Sequence, residues 1–194
     1  VLRGQKRAHL QPGQSVLVLG SGLAGMLHIN LARALGAGRI VATDMVDYRL
    51  EAAVRFGADA AFSAKADLPA RFREANNGRL ADLVIVCTGA PPALIQALQS
   101  VDRGGTVLFF APTEPGVTVE VSLNDVFFRN DVTLTTTYAG APADLATALE
   151  LIRSGSVRVG DMITHRLGLE EAELGLNLTA EAGSSLKVNG QPQR

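Results

Sequence analysis

Three glycines and one aspartate give the sequence its clearest chemical signal. Gly20, Gly22 and Gly25 form a G-x-G-x-x-G pattern, and Asp44 follows 19 residues after Gly25. This pattern predicts a turn that lets the backbone approach a pyrophosphate, and a carboxylate at that distance can accept hydrogen bonds from an adenosine ribose. NAD is favoured over NADP, because the extra phosphate of NADP would meet a like charge. The alternative is a purely structural glycine turn with a solvated aspartate.

The sequence around the glycines predicts the elements that a dinucleotide site needs. An apolar run precedes the turn, residues 23–35 repeat apolar side chains at helical spacing, and a second apolar run ends at Asp44. Strand and helix patterns keep alternating beyond this point, which is typical of a parallel sheet with crossover helices. We therefore predict an α/β fold with a doubly wound, six-stranded parallel sheet, the Rossmann fold. Its strands are expected at 16–19, 39–43, 58–62, 81–87, 106–110 and 132–137.

Composition argues against several classes of partner. The chain has 194 residues and a formal net charge of −1, with no run of Lys and Arg that would indicate nucleic-acid binding. No apolar stretch approaches the roughly 18 residues of a membrane span. Cys87 is the only cysteine, which excludes an intramolecular disulfide and fits a reducing compartment. We expect a cytoplasmic protein without nucleic-acid or membrane partners.

The two ends of the sequence differ from the central sheet pattern. Residues 1–12 are interpreted as the tail of an inter-domain helix and its linker, and 13–153 as the NAD-binding domain. The segment 154–194 holds strand-like stretches at 162–167 and 186–188, for which the six-stranded sheet has no position left. We expect this segment to pack against a further domain, with Met162 and its apolar neighbours facing water in the chain alone.

Six stretches, spread along nearly the whole chain, carry a family resemblance. They are PGQSVLVLG at 12–20, LARALGA at 31–37, AVRFGADA at 53–60, CTG at 87–89, GGTV at 104–107 and ITHR at 163–166. Together they resemble the coenzyme-binding domain of the zinc-dependent medium-chain alcohol dehydrogenases, in particular the sorbitol and threonine dehydrogenase branch. Flavin proteins and methyltransferases share a glycine turn and stay as alternatives, whereas the Tyr-x-x-x-Lys pair of short-chain dehydrogenases does not occur in the sequence.

The resemblance implies a set of cofactor-binding residues. Asp44 would bind the adenosine ribose with Arg49 beside it, and the N–H groups of Leu23 and Ala24 would face the pyrophosphate. Cys87 is interpreted as a small buried residue on the cofactor path rather than as a reactive thiol. The full predicted set is Gly20, Gly22, Leu23, Ala24, Gly25, Asp44, Arg49, Cys87, Thr88, Gly89, Ala111 and Pro112.

The resemblance also implies a β-rich catalytic domain that supplies zinc ligands and that these 194 residues lack. Besides Cys87, the sequence offers only His9, His28 and His165, whose spacing builds no ligand cluster. We therefore predict no metal site and no catalytic residue in this chain, and expect zinc only in the catalytic domain. The whole protein would transfer a hydride between NAD and a secondary alcohol, such as a polyol or amino alcohol, whereas this chain alone would bind cofactor without turnover. The alternative is a stand-alone NAD-sensing or scaffold module.

An alternating stretch at 117–121 bears on assembly. Val117, Val119 and Val121 alternate with Thr118 and Glu120, which is typical of an edge strand that can pair with another copy. The resembling family typically dimerises through this part of the domain, so the resemblance implies a homodimer with two-fold symmetry. The alternative is a simple surface hairpin.

Overall fold

The computed structural model describes residues 1–181 and 183–192, and a six-stranded parallel sheet forms its centre. The strand order is β3-β2-β1-β4-β5-β6, and every neighbouring pair is parallel. The strands are β1 (Val16–Leu19), β2 (Ile40–Asp44), β3 (Ala60–Ser63), β4 (Ala81–Val86), β5 (Val101–Phe109) and β6 (Thr133–Thr136). This order confirms the predicted doubly wound α/β fold.

Helices cover both faces of the sheet and connect its strands. They are α1 (Leu2–Arg7), α2 (Leu23–Ala34), α3 (Asp47–Arg55), α4 (Leu68–Ala75), α5 (Pro91–Ser100), α6 (Pro142–Arg153) and α7 (Ala172–Glu181). None of the helices within 1–181 and 183–192 is both long enough and apolar enough to cross a bilayer.

Strand β1 shows why a continuous apolar run folds this way. All four of its residues are buried: Val16 and Val18 belong to the core cluster that includes Met26 and Ile29 of α2. Leu17 and Leu19 belong to the cluster on the other face of the sheet. Since successive side chains of a strand point to opposite faces, both faces of a central parallel strand need apolar residues.

The edge strand predicted at 117–121 has no pairing within the described part of the chain, and its pairing with another copy stays a prediction. Between β5 and β6 this segment runs without ladder pairing, and it leads into a short π-helical turn at Asn124–Phe128. Val117 and Val119 pack against the core cluster on the α4 and α5 face. Alternating residues indicate which side chains can be buried, but they do not guarantee that a neighbouring strand is available; here β6 pairs with β5 and is the last strand of the sheet.

The strand-like stretches of the C-terminal segment pair with each other, so the expectation that they lack a partner is wrong. They form a separate parallel pair, β7 (Ile163–Leu167) and β8 (Lys187–Gly190), connected through α7. Met162 is buried in the core cluster that contains Val16, rather than exposed, and Leu186 joins the same cluster. Residues 182, 193 and 194 of the predicted C-terminal segment lie outside the described residues.

Candidate cofactor site

A crevice opens where the direction of the chain connections reverses in the sheet. Strand β1 is followed along the chain by β2 on one side, while its other neighbour is β4. The loops after these three strands diverge and leave a depression of about 630 Å³. Such switch points at the carboxyl ends of parallel strands are where open α/β sheets bind ligands.

The glycine turn after β1 forms one wall of this depression. Gly20 has φ +91°, a left-handed conformation that favours glycine, and a Cβ on Gly25 would overlap the carbonyl oxygen of Gly20. Gly22 differs from both, because a Cβ there would have only Nη1 of Arg49 within 4.0 Å. Two glycines are thus required by the turn itself, whereas the third keeps space open at the start of α2.

The start of α2 offers backbone donors toward that open space. The N–H of Met26 donates to the carbonyl of Gly22 at 2.9 Å and makes the first hydrogen bond of the helix. The N–H groups of Leu23, Ala24 and Gly25 precede it and have no helical carbonyl to bind. Together with the helix dipole, they make this end of α2 suitable for an anion.

Asp44 lies at the end of β2, with only 8% of its surface exposed. Its Oδ2 accepts a hydrogen bond from Ser21 N at 2.7 Å, and its Oδ1 accepts from Met45 N at 2.8 Å and Val46 N at 3.1 Å. These donors fix the carboxylate against the glycine turn. They use three of its roughly four acceptor positions and leave Oδ2 room for another donor.

Arg49 approaches the same carboxylate from α3. Its Nη1 lies 4.0 Å from Oδ2 of Asp44, and its Nε is buried without a hydrogen-bond partner among the described residues. A buried donor without an acceptor is unfavourable by about 1–3 kcal/mol. The unpaired Nε marks this corner of the depression as a place where an acceptor would be stabilising.

Cys87 and Thr88 form the opposite wall, directly after β4. The thiol of Cys87 is half-buried, and burial raises its pKa to about 12. A thiol with that pKa stays protonated at neutral pH, so it is neither a nucleophile nor a thiolate ligand.

Ala111 and Pro112 line a second depression, of about 480 Å³, beyond β5. Phe110, Thr137 and Tyr138 belong to the same lining. Gly89 stands between the two depressions, because a Cβ on it would come within 2.5 Å of the carbonyl oxygen of Pro112.

The structure thus divides the predicted residues into three groups. Gly20, Gly22, Asp44, Arg49, Cys87 and Thr88 line the larger depression. Leu23, Ala24 and Gly25 lie in the first turn of α2, and Gly89, Ala111 and Pro112 lie at or near the second depression.

Sequence reasoning missed the far side of the larger depression. Ala64 and Lys65 line it directly after β3, and Gln96 reaches it from α5. The amide Nε2 of Gln96 donates to the carbonyl of Ala64 at 3.0 Å and so joins the two elements. The rule that ligands bind beyond the carboxyl ends of strands could have indicated residues 64 and 65, whereas no local signal indicates Gln96.

None of the three histidines lines this depression. His28 is fully buried; the amide Nε2 of Gln5 donates to its Nδ1 at 3.1 Å, and the ring meets Phe110 edge-on at 4.5 Å between centroids. Burial lowers the pKa of His28 to about 3, so the ring is neutral. Within 1–181 and 183–192, no three His, Cys, Asp or Glu side chains are grouped as metal ligands would be.

Comparison with known proteins identifies the family of this chain. The chain matches the zinc-binding dehydrogenase model over residues 24–154. It is 32% identical to an L-threonine 3-dehydrogenase from Bacillus licheniformis over 86% of this chain and 48% of that protein. It is 30% identical to D-xylulose reductase A from Aspergillus oryzae over 94% of this chain and 51% of that protein.

A solved dehydrogenase structure also matches nearly the whole chain. Alcohol dehydrogenase TADH from Thermus sp. ATN1 superposes with a TM-score of 0.86 at 32% identity, covering 95% of this chain and 53% of that one. The chain therefore spans about half the length of the relatives it matches. Its parallel sheet, its glycine turn and these matches show that the chain belongs to the zinc-binding dehydrogenase family and corresponds to the coenzyme-binding domain.

Proposed function

We propose that this chain binds NAD(H) in the depression between β1, β2 and β4, as the coenzyme-binding part of an alcohol dehydrogenase. The observation that carries the proposal is the pairing of an open glycine turn with a fixed carboxylate. Gly22 leaves space at the positive end of α2, and Asp44 stands across that space at the end of β2. A dinucleotide needs both features, because its pyrophosphate is anionic and its ribose hydroxyls are hydrogen-bond donors.

The residues of the chain would bind and orient the cofactor. The N–H groups of Leu23 and Ala24 would donate to the pyrophosphate, while Oδ2 of Asp44 would accept from a ribose hydroxyl. Arg49 would lie beside the ribose, and Thr88 would line the path toward the second depression. When bound, NAD would supply the hydride acceptor of the reaction.

The alcohol substrate and the zinc belong to the proposal for the whole protein. The relatives named above are an L-threonine 3-dehydrogenase and a D-xylulose reductase, and this chain spans about half of each. We propose hydride transfer between NAD and a secondary alcohol, a polyol or an amino alcohol, with zinc held outside this chain. The 194-residue chain alone is expected to bind cofactor without oxidising an alcohol.

A calorimetric titration with NADH and, in parallel, NADPH tests the proposal. The wild-type chain should bind NADH more tightly, and Asp44→Asn should lose most of this preference because the charge that repels the extra phosphate is gone. Asp82→Asn is the matched control: this carboxylate also accepts a backbone N–H, from Ser15 at 2.8 Å, but it lies at the amino edge of the sheet. The control should bind both nucleotides as the wild type does.

Two outcomes would contradict the proposal. If neither nucleotide binds the folded chain, the glycine turn is structural in this chain. If Asp44→Asn and Asp82→Asn behave alike, Asp44 does not set the preference. Binding of NADH without alcohol turnover would leave open the sensor or scaffold alternative, which the activity of a protein that also contains a zinc-binding half would decide.

Two further expectations remain proposals. A homodimer would be formed through the predicted edge strand at 117–121, which has no partner within the described chain, and light scattering should then give twice the chain mass of 20.3 kDa. A mass of one chain would refute the dimer. The cytoplasmic location is likewise proposed, and fractionation of cells that express the protein would test it.

A further inference from the structure

A cluster of positive side chains lies apart from the cofactor depression, on α1. Arg3, Lys6, Arg7 and His9 surround an open depression of about 430 Å³, together with Asp144 from the first turn of α6. We call Arg3, Lys6 and Arg7 the basic cluster. Its three cations face one carboxylate, whereas the whole chain has a formal net charge of −1. The depression therefore concentrates positive charge on a chain that has no overall excess of it.

Asp144 positions the cluster rather than neutralising it. Lys6 Nζ lies 3.0 Å from its Oδ1, and Arg3 Nη1 lies 4.0 Å from its Oδ2, which also accepts the N–H of Ala141 at 3.2 Å. The hydrogen bond from Lys6 is the main reason why the pKa of the Asp144 carboxyl is lowered. Asp144 thus stays ionised and is largely committed to Lys6 and the end of α6.

Arg3 has a donor that these contacts leave unused. Its Nε is buried and has no hydrogen-bond partner among the described residues. The side chain as a whole is 37% exposed and lines the open depression. A guanidinium presents its donors as a planar fork that matches the oxygens of carboxylates and phosphates. Because Arg3 lines the open depression, its guanidinium favours an oxyanion as the ligand.

The position of α1 places the cluster near the carboxyl edge of the sheet. A Cβ on Gly4, next to Arg3, would lie 3.2 Å from Thr137 and 3.4 Å from Phe110, both of which line the second depression. Asp144 is in the first turn of α6, which follows β6 after a short loop. The basic cluster thus adjoins the loops in which parallel α/β sheets hold their ligands.

We propose that the basic cluster binds the phosphoryl group of a phosphomonoester. Three cations against one carboxylate leave an excess of two positive charges, which a phosphomonoester dianion compensates and a single carboxylate does not. Arg3 supplies the fork, with Arg7 and Lys6 adding charge. The inference does not depend on the proposed cofactor site, because none of its residues lines that depression.

Binding measurements with three probes test the site. Glycerol 3-phosphate, inorganic phosphate and acetate are titrated at matched ionic strength, and the arginine Nε–H resonances are followed by NMR. Glycerol 3-phosphate should bind and shift the Arg3 Nε–H resonance. The double variant Arg3→Gln/Arg7→Gln should raise its dissociation constant at least tenfold. The matched control Arg71→Gln/Arg153→Gln removes two arginines from exposed helical ion pairs and should change the constant less than twofold.

The outcomes separate the possible ligands. Tighter binding of glycerol 3-phosphate than of inorganic phosphate would assign the cluster to a phosphorylated small molecule, and equal binding would assign it to free phosphate. Equal binding of acetate would overturn the phosphoryl assignment, as would a double variant that binds glycerol 3-phosphate like the wild type. Circular dichroism of each variant confirms folding. An NADH titration of the wild-type chain keeps the two proposals apart. A chain that binds glycerol 3-phosphate but not NADH would refute only the cofactor site.

Discussion

Gly22 allows a test that separates the cofactor role of the glycine turn from its role in folding. Its backbone has φ −69° and ψ −170°, which alanine can adopt, and a Cβ there would meet only Nη1 of Arg49, at 4.0 Å. Replacing an N-cap glycine by alanine weakens the cap by about 0.5–1 kcal/mol, while the lower entropy of the unfolded chain offsets about 0.4–1 kcal/mol. The free energy of unfolding of Gly22→Ala should therefore change by less than about 1 kcal/mol.

NADH binding should respond much more strongly. The added methyl group would occupy the space through which a pyrophosphate reaches the N–H groups of Leu23 and Ala24. A hydrogen bond to a charged group contributes about 1.5–3 kcal/mol, so loss of one such bond weakens binding roughly 10- to 150-fold. Calorimetric titration measures the binding, and urea unfolding of the same sample measures the stability.

Two other glycines serve as references. Gly160→Ala has open space around it and should change neither quantity. Gly25→Ala would overlap the carbonyl oxygen of Gly20, so the backbone must move and the fold should be destabilised before binding is considered. If Gly22→Ala binds NADH within threefold of the wild type, the space beside Gly22 is not where the pyrophosphate lies.

Three other perturbations follow from buried side chains. Phe72 is 1% exposed, and Phe72→Ala should lower the free energy of unfolding by about 3–5 kcal/mol in urea titrations. Burial lowers the pKa of His28 from 6.5 to about 3. Between these two pH values the imidazole is protonated in the unfolded chain but neutral in the native chain. His28 should therefore reduce stability by up to about 1.4 kcal/mol per pH unit as the pH falls from 6 to 4, with its full contribution present above pH 6.5. With its pKa raised to about 12, Cys87 should react with iodoacetamide at pH 8 at least about tenfold more slowly than in the unfolded chain.

Each of these has a result that would contradict it. A loss below 1 kcal/mol for Phe72→Ala would mean that the α4 face of the core is loosely packed. An unchanged pH slope in His28→Leu would show that the ring is not kept neutral in the native state. Alkylation of the native chain as fast as of the unfolded one would show that Cys87 is accessible as a thiolate.

The sequence predicted the elements whose signals are local. The continuous apolar runs of β1, β2 and β4, with a glycine turn and helical spacing between the first two, are enough to place the sheet and the crevice. The segment 117–121 has no strand partner within the described residues, because alternation indicates burial, and Val117 and Val119 are half-buried by packing on the core rather than in a ladder. Pairing of β7 with β8 was missed for a related reason: the two strands are about 23 residues apart, and neither sequence pattern indicates which strand is its partner.

The residues of the candidate site likewise fall into those that local sequence predicts and those that it does not. Gly22 and Asp44 could be predicted because their spacing along the sequence follows from the lengths of one strand, one turn, one helix and the next strand. Gln96 comes to the depression only because α5 packs beside the loop after β3, where its amide binds Ala64. Such a contact depends on the packing of distant elements, which no single stretch of sequence encodes.

The hydrogen bonds of Asp44 have a consequence for redesign. One carboxylate holds the N–H of Ser21 in the first loop and those of Met45 and Val46 in the second, so it connects the two loops. Exchanging Asp44 for a small neutral residue, to admit a phosphate on the ribose, would release all three donors together. A change of nucleotide preference in this scaffold therefore requires a second substitution that supplies a new acceptor for Ser21, or the loop that selects the cofactor would lose its shape.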